Sequence, residues 1–177
     1  MSAQALEVLD LGHNQLTGSL PDVMATSNAA QNLKHFHTQH NQLTGRLPKT
    51  LGHLTQLTSL RFDDNHFTGW IPVAWQHLDD LQILRLENNK LGGSLPSQLS
   101  RLTQLEEFQF QNNLLHPTLP KKILRNLPKL QYHSVGFYVS EDREKQLDAD
   151  LADEQSRMRR QQEMRKDERP SFISEHL

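Results

Sequence analysis

Histidines and aspartates recur at matching intervals in the first part of the chain. His13 and His40 lie 27 residues apart, and Asp64 follows His40 by 24 residues. If these intervals place equivalent positions on neighbouring strands, the three side chains are lateral neighbours, roughly 5 Å apart per strand step. Imidazole and carboxylate groups are suitable zinc ligands. The pattern is compatible with a zinc site or with a polar, histidine-rich recognition face. We favour the second interpretation and expect neither a metal nor a cofactor.

The sequence carries none of the common signatures of catalysis. It lacks the G-x-S-x-G motif, the P-loop, H-E-x-x-H and G-x-G-x-x-G. The acidic pairs Asp63-Asp64 and Asp79-Asp80 do not have the D-x-D-x-D-G spacing of a calcium loop. We therefore predict that the protein is not an enzyme. The remaining catalytic alternative is an enzyme or regulatory subunit with its site on the histidine-rich face.

The residues described above belong to copies of one sequence unit. A fixed period of 20–50 residues is typical of stacked units whose apolar faces are covered only by their neighbours. Here the spacings between successive units are 27, 24, 24, 24 and 25 residues. The units begin at Leu6, Leu33, Leu57, Leu81, Leu105 and, in degenerate form, Leu130.

Each part of the unit predicts a local structure. The phrase L-x-x-L-x-L predicts a short strand whose alternate side chains point inward. An asparagine such as Asn65 follows, and its amide can pair backbone groups where the chain turns inside the stack. A glycine such as Gly69 permits a bend, and a proline such as Pro72 ends the bend with a fixed φ. Further apolar residues, such as Trp75 and Leu78, suit a short helical turn on the outer side.

The combined pattern resembles the plant-type leucine-rich repeat, L-x-x-L-x-L-x-x-N-x-L-x-G-x-I-P-x-x-L-x-x-L, over residues 6–130. The resemblance implies an α/β solenoid, a right-handed superhelix with a parallel β-sheet on its concave side. It also implies a non-catalytic module that binds other proteins or peptides. Because this family is a scaffold for many functions, the resemblance does not identify the partner.

The concave sheet is the predicted binding surface. The third, fifth, seventh and eighth positions of L-x-x-L-x-L-x-x-N point outward and are expected to be free of packing. Across the units these positions form a mixed, charged surface with few apolar anchors. The candidate partner-binding residues are His13, His35, His37, His40, Arg61, Asp63, Asp64, Arg85, Glu87, Glu107 and Gln109.

Composition restricts the class of partner and the compartment. The formal net charge is -2 and no apolar run is long enough to span a membrane, so we expect protein subunits as partners. Nucleic acid, membrane insertion and small-molecule substrates are not expected. The resemblance implies disulfide-stapled caps for secreted relatives, yet this chain has no cysteine and no N-x-S/T site. Residues 1–5 do not form a secretory signal. Together these features favour an intracellular location, cytoplasmic or organellar, over secretion.

The sequence divides into a repeat solenoid at residues 1–139 and a charged helical tail at residues 140–177. The first repeat is predicted to be uncapped, because residues 1–5 are too short to cover it. The tail is either a solvated helix or an arm that orders on a partner. We predict an intracellular structural subunit of a larger complex, binding through the concave sheet, the first repeat and the tail. The alternative is a ligand-recognition fragment of an extracellular leucine-rich repeat receptor or inhibitor.

Overall fold

The computed structural model describes residues 6–22, 30–116, 120, 123 and 126–130. Within them, each L-x-x-L-x-L phrase forms a strand, and a second short strand follows each conserved turn of the unit. The strands in chain order are β1 (Val8–Asp10), β2 (Thr17–Ser19), β3 (His35–His37), β4 (Gln42–Thr44), β5 (Ser59–Arg61), β6 (Thr68–Gly69), β7 (Ile83–Arg85), β8 (Lys90–Gly93), β9 (Glu107–Gln109) and β10 (Leu114–Leu115).

The odd-numbered strands form one parallel sheet in the order β1-β3-β5-β7-β9. Its register follows the sequence period, so that Leu60 pairs with Leu84 and Leu84 with Phe108. The even-numbered strands form two smaller sheets, β2-β4 and β6-β8-β10. The predicted solenoid with a parallel sheet is confirmed, because every described repeat contributes one strand to the same sheet.

Short helices lie between the smaller sheets and the next repeat. They are 3₁₀ helices at Lys49–His53, Val73–His77 and Ser97–Arg101. Each begins after a proline of the repeat with φ of -65°, -67° or -66°. Each helix has only five residues, and short pieces of this kind are where the tighter i→i+3 bonds of a 3₁₀ helix are usually found. One such bond joins the Leu54 N–H to the Leu51 carbonyl at 3.0 Å. The predicted helical turn is therefore confirmed.

The core is a continuous apolar column that runs through the repeats. The middle strand residues Leu60 and Leu84 are fully buried. Phe62 packs edge-on against Phe36 with ring centroids 5.1 Å apart, and also against Trp75 at 6.2 Å. The Trp75 indole N–H donates to the Pro48 carbonyl at 3.0 Å, so its one polar atom is satisfied inside the column. Each buried side chain of this size contributes roughly 1.5–3 kcal/mol.

The asparagines bond the repeats to one another, as the sequence predicts. Asn89 Oδ1 accepts from the Phe67 N–H at 2.9 Å, and Asn89 Nδ2 donates to the Phe62 carbonyl at 2.9 Å. Both partners belong to the preceding repeat. Asn65 makes the equivalent pair of bonds. These amides satisfy backbone groups that the strands leave unpaired inside the stack.

The glycines of the repeat are required by backbone conformation. Gly45 and Gly93 have φ of 80° and 77°, in the left-handed region that other residues rarely adopt. The predicted bend after each asparagine is thus confirmed at both positions.

Several predictions concern residues outside the described part of the chain. These include the charged helix at 140–177 and the domain boundary between residues 139 and 140, which stay predictions. Among the described strands, β1 pairs only with β3, and Leu6 and Val8 are 41% and 52% exposed. Because residues 1–5 are not described, the uncapped first repeat also stays a prediction. None of the described helices has the length and apolar character that a membrane crossing requires.

Candidate functional site

The five-stranded sheet presents one row of polar side chains on each strand, on the surface opposite the core. We call this surface, formed by the first and last residues of each strand, the open face. The middle residue of each strand is buried in β3, β5, β7 and β9, which is the alternation expected of a strand with one packed face. The predicted site residues on the open face are His35, His37, Arg61, Arg85, Glu107 and Gln109.

The open face carries a polar network at β7 and β9. Arg85 Nη2 lies 2.7 Å from Glu107 Oε1, and Arg85 Nε donates to the same oxygen at 2.9 Å. Gln109 Nε2 donates to Glu107 Oε1 at 3.0 Å, and Gln109 Oε1 accepts from Gln111 Nε2 at 3.1 Å. Three of the predicted residues are therefore brought together, and they hold one another in fixed positions.

Two histidines, His35 and His37, lie on β3, towards the β1 side of the open face. His37 Nε2 lies 2.9 Å from Ser59 Oγ, and the His35 and His37 rings meet edge-on at 5.8 Å. Burial lowers the pKa of His37 below its ordinary value, and the positive charge of Arg61 acts in the same direction. The Asp10 carboxylate, 3.9 Å from Nδ1, partly offsets these effects. His37 therefore gives up its proton more readily than an exposed histidine.

The loop after each strand adds a second row, which we call the loop ladder: His13, His40, Asp64, Asn88 and Asn112. All five residues have φ between 52° and 56°, the left-handed conformation that Asn and Asp tolerate better than most residues. The His13 and His40 rings stack at 4.4 Å, and His40 Nδ1 lies 3.4 Å from Asp64 Oδ2. The predicted proximity of these three side chains is confirmed.

The loop ladder continues through two residues that the site prediction omitted. Asn88 Nδ2 donates to Asp64 Oδ1 at 2.8 Å, and Asn112 Nδ2 donates to Asn88 Oδ1 at 2.7 Å. Both residues occupy the same repeat position as His40 and Asp64. That shared position was the sequence signal that could have identified them.

The seventh position of the repeat departs from expectation. The repeat pattern predicts that Asp63 and Glu87 point outward, but they are only 2% and 7% exposed. Both carboxylates therefore lie among neighbouring residues and not at the surface. Burial raises the pKa of Glu87, and the negative charges of Asp63 and Asp64 raise it further. These two residues thus lie beneath the polar surface, and their part in partner binding stays a prediction.

The seventh position also carries acceptors that find no hydrogen-bond donor among the described residues. They include Asp63 Oδ1 and Glu87 Oε2. Arg61 Nε lies 3.7 Å from Asp63 Oδ1, which is too long for a hydrogen bond. Asp63 also completes a group of three possible metal ligands with His40 and Asp64, one ligand atom of each lying within 4.8 Å of the others.

A groove of about 780 Å³ lies away from the open face, beside the smaller sheets. Trp70 lines it and is 70% exposed. This side chain covers Gly93, where an added Cβ would come within 2.5 Å of Trp70 Cδ1. Trp70 occupies a position where the repeat pattern allows any residue type, so the pattern alone does not identify it.

The sequence profile described as Leucine Rich Repeat matches residues 5–26, 32–54, 56–78 and 80–102. Together these matches cover just over half of the 177 residues. No curated protein sequence matches the chain.

Solved structures of plant receptors are similar to this chain. The ectodomain of the Arabidopsis thaliana membrane receptor kinase GASSHO1/SCHENGEN3, in complex with CASPARIAN STRIP INTEGRITY FACTOR 2, is 28% identical with a TM-score of 0.68. The match covers 75% of this chain and 18% of the receptor chain. The Arabidopsis receptor kinase HAESA, in complex with the peptide hormone IDA and the co-receptor SERK1, is 31% identical with a TM-score of 0.68. That match covers 74% of this chain and 21% of HAESA.

A shorter relative is matched over a larger share of its length. The ectodomain of the Arabidopsis receptor kinase SOBIR1 is 30% identical with a TM-score of 0.62. The match covers 75% of this chain and 67% of that ectodomain. By contrast, the chain spans only about a fifth of the length of GASSHO1 and HAESA.

These relatives correct the predicted location. They are receptor-kinase structures, with GASSHO1 and SOBIR1 represented by their ectodomains, so the prediction of an intracellular chain is wrong. That prediction relied on the lack of cysteines and glycosylation sites. Within the described repeats, however, apolar stacking and asparagine hydrogen bonds hold the fold together. Both work equally well in oxidising and reducing compartments, so missing cysteines do not report the location.

The profile match, the parallel sheet with one strand per repeat and the structural relatives agree. The chain belongs to the leucine-rich repeat family, whose fold is a protein-interaction module.

Proposed function

We propose that this chain is a ligand-recognition segment of an extracellular leucine-rich repeat protein, and that its open face binds a peptide or protein segment. The observation that carries the proposal is its similarity to receptor kinases whose structures contain peptide or protein ligands, including HAESA with the peptide hormone IDA. A non-catalytic role follows from the same relationship, since the family supplies a binding scaffold.

The open face has the chemistry of a polar binding surface. The Arg61 side chain is 29% exposed and makes no ion pair shorter than the 3.7 Å from its buried Nε to Asp63 Oδ1, so a ligand can contact the exposed part of this side chain. Arg85 and Glu107 are held in place by their short ion pair, which lowers the entropy lost when a ligand engages them. His35 and His37 add aromatic surface. Such a mixed surface suits a polar peptide better than an apolar helix.

Selection from a phage-displayed library of random peptides tests binding to the full chain. We expect enriched peptides to bind the wild-type chain and to lose affinity by about tenfold or more in Arg61→Ala, as for a central contact. Arg101→Ala is the matched control, because Arg101 is exposed on a 3₁₀ helix outside the open face. Equal affinity of all enriched peptides for both variants would contradict binding at the open face.

The extracellular location needs a separate measurement. Intact cells are labelled with a biotin reagent that does not cross membranes, and the native protein is then detected with an antibody against this chain. We expect labelling comparable to that of a known surface protein. Recovery of the protein solely in the unlabelled fraction and absence from the medium would refute the location.

A further inference from the structure

Three side chains of the metal-ligand type converge where the chain leaves β3 and β5. One His40 nitrogen and one carboxylate oxygen from each of Asp63 and Asp64 lie within 4.8 Å of one another. His40 Nδ1 and Asp64 Oδ2 are 3.4 Å apart. Two ligands of a tetrahedral Zn²⁺ ion with bonds of about 2.0–2.1 Å are separated by about 3.4 Å. This pair therefore already has the spacing of two zinc ligands.

The third side chain is a buried carboxylate without a hydrogen bond to one of its oxygens. Asp63 is 2% exposed, and its Oδ1 atom has no donor among the described residues. A buried ionised group that lacks a close partner is unfavourable. This buried acceptor has a cation only at 3.7 Å, the Arg61 Nε, and no hydrogen bond, and it is a second observation beside the clustering.

The local charges also favour a cation. The negative charges of Asp63 and Asp64 both act on Glu87. Of the positive charges nearby, Arg85 is engaged by Glu107 at 2.7 Å. Within the described part of the chain, Arg61 is the cation that faces Asp63, at 3.7 Å. The group is therefore short of positive charge.

The burial of Asp63 distinguishes a metal ion from a peptide. Asp63 Oδ1 has less than 1 Å² of exposed surface. A peptide ammonium or backbone N–H cannot reach such an atom without displacing its neighbours, whereas a metal ion requires only that the three ligand atoms close around it from separations of at most 4.8 Å. One imidazole with two carboxylates suits Zn²⁺ and similar transition metals, while Ca²⁺ and Mg²⁺ prefer oxygen ligands alone.

We propose that His40, Asp63 and Asp64 form a binding site for a divalent transition-metal ion, with Zn²⁺ as its representative. Three protein ligands leave a coordination position for water, as in open zinc sites. Neighbouring residues of the loop ladder orient the ligands. Asn88 donates to the second Asp64 oxygen at 2.8 Å, and His13 stacks on the His40 ring at 4.4 Å. In this arrangement His13 positions a ligand and does not itself bind the ion.

Isothermal titration calorimetry of the untagged full chain with ZnCl₂, after removal of metal by EDTA, tests the site. We expect one binding event that weakens by about tenfold or more in His40→Gln and in Asp64→Asn. Asp63→Asn should weaken it to a similar extent. Because Asp63 is buried, thermal melting checks that this variant folds, and the exposed His40 and half-buried Asp64 keep the test decisive if it does not.

Two controls separate this site from unspecific binding by surface histidines. His77→Gln changes an exposed histidine on a 3₁₀ helix, and we expect an unchanged Kd. His13→Gln should weaken binding less than His40→Gln does, since His13 stacks on the His40 ring and is not itself a ligand. CoCl₂ provides a second readout, because the visible absorption of bound Co²⁺ should disappear in His40→Gln. CaCl₂ should bind far more weakly than ZnCl₂.

The proposal is overturned by an absence of Zn²⁺ binding, which would leave His40 and Asp64 as an ion pair only. It is also overturned if His40→Gln and His77→Gln bind equally well, or if Ca²⁺ binds more tightly than Zn²⁺. Peptide binding at the open face is measured separately in the presence of EDTA, so failure of the metal site leaves that proposal intact.

Discussion

Asn65 and Leu43 are joined across two repeats: Asn65 Oδ1 accepts the Leu43 N–H at 2.9 Å. The same amide donates to the Thr38 carbonyl at 2.8 Å and the Asp63 carbonyl at 3.1 Å. Asn65 is 4% exposed, so water cannot replace these bonds. One side chain thus satisfies backbone groups in two consecutive repeats, and its loss affects the contact between them.

We predict that Asn65→Ala lowers the free energy of unfolding by about 3 kcal/mol or more, because several buried backbone groups lose their partner at about 1–3 kcal/mol each. Urea denaturation followed by circular dichroism measures this loss. Asn14→Ala is the matched control. Asn14 is exposed and bonds only within its own repeat, to Leu11 and Gly12, so its loss should be below about 1 kcal/mol. Equal losses would show that the bonds between repeats carry no special weight.

A second prediction concerns the contact between adjacent 3₁₀ helices at Gly52. A Cβ at this position would lie 2.3 Å from the Ala74 carbonyl oxygen, which is backbone and cannot rotate away. Gly52→Ala should therefore cost about 1–3 kcal/mol through overpacking. In the third helix Ser100 is buried and its hydroxyl finds no hydrogen-bond partner among the residues that the structure describes, so Ser100→Ala should be neutral or slightly stabilising. Thermal melting measures both variants. A lower melting temperature for Gly52→Ala alone would support the close contact with Ala74, whereas an unchanged one would show that the two helices move apart without cost.

Stability should depend on pH through His37. Burial lowers its pKa in the folded state, with Asp10 and Asp63 opposing and Arg61 and His35 reinforcing the shift. The unfolded chain then takes up a proton first as the pH falls. The contribution of His37 is present above its unfolded pKa of 6.5 and is lost as the pH falls through 6.5 towards the folded value.

His37→Gln should therefore flatten the fall in unfolding free energy between about pH 7.5 and pH 5.5, by at most about 1.4 kcal/mol per pH unit for one proton. Chemical denaturation at several pH values gives this slope. His53→Gln, at an exposed position in a 3₁₀ helix, serves as the comparison. A His37→Gln slope identical to that of the wild type would show that His37 does not contribute to the pH dependence.

The Arg85–Glu107 pair should be energetically coupled. Its side chains are 32% and 22% exposed and two nitrogens approach one carboxylate oxygen. A double-mutant cycle with Arg85→Ala and Glu107→Ala should give a coupling of about 1 kcal/mol that decreases in high salt. The Lys34–Glu7 pair, at 45% and 56% exposure, offers a comparison just before strands β3 and β1. We expect a coupling energy of less than about 0.5 kcal/mol for Lys34–Glu7. A larger coupling energy for this pair than for Arg85–Glu107 would contradict the idea that partial burial strengthens the ion pair.

The sequence by itself determined the architecture of the repeats. The period fixes which residues pair, because a parallel stack places residue 60 beside residue 84 and residue 84 beside residue 108. The roles of Asn65 and Gly69 were also predictable, since an amide and a left-handed bend are local requirements of the turn. The same periodicity predicted that His13, His40 and Asp64 lie side by side. The repeat sequence did not indicate the cellular compartment, because packing and hydrogen bonds hold the repeats together in any compartment.

The tertiary structure alone decided which polar side chains are covered. Asp63 and Glu87 occupy positions that alternate outward in the sequence pattern, yet the turn into the stack buries them. This burial brings Asp63 next to His40 and Asp64 and leaves one of its oxygens unpaired. Likewise, the approach of Gly52 to Ala74 depends on how closely two 3₁₀ helices pack. The repeat period and the residue types determine the order of the strands. How deeply a side chain is buried depends on the direction in which each turn leaves its strand. That direction is decided only when the repeats are stacked.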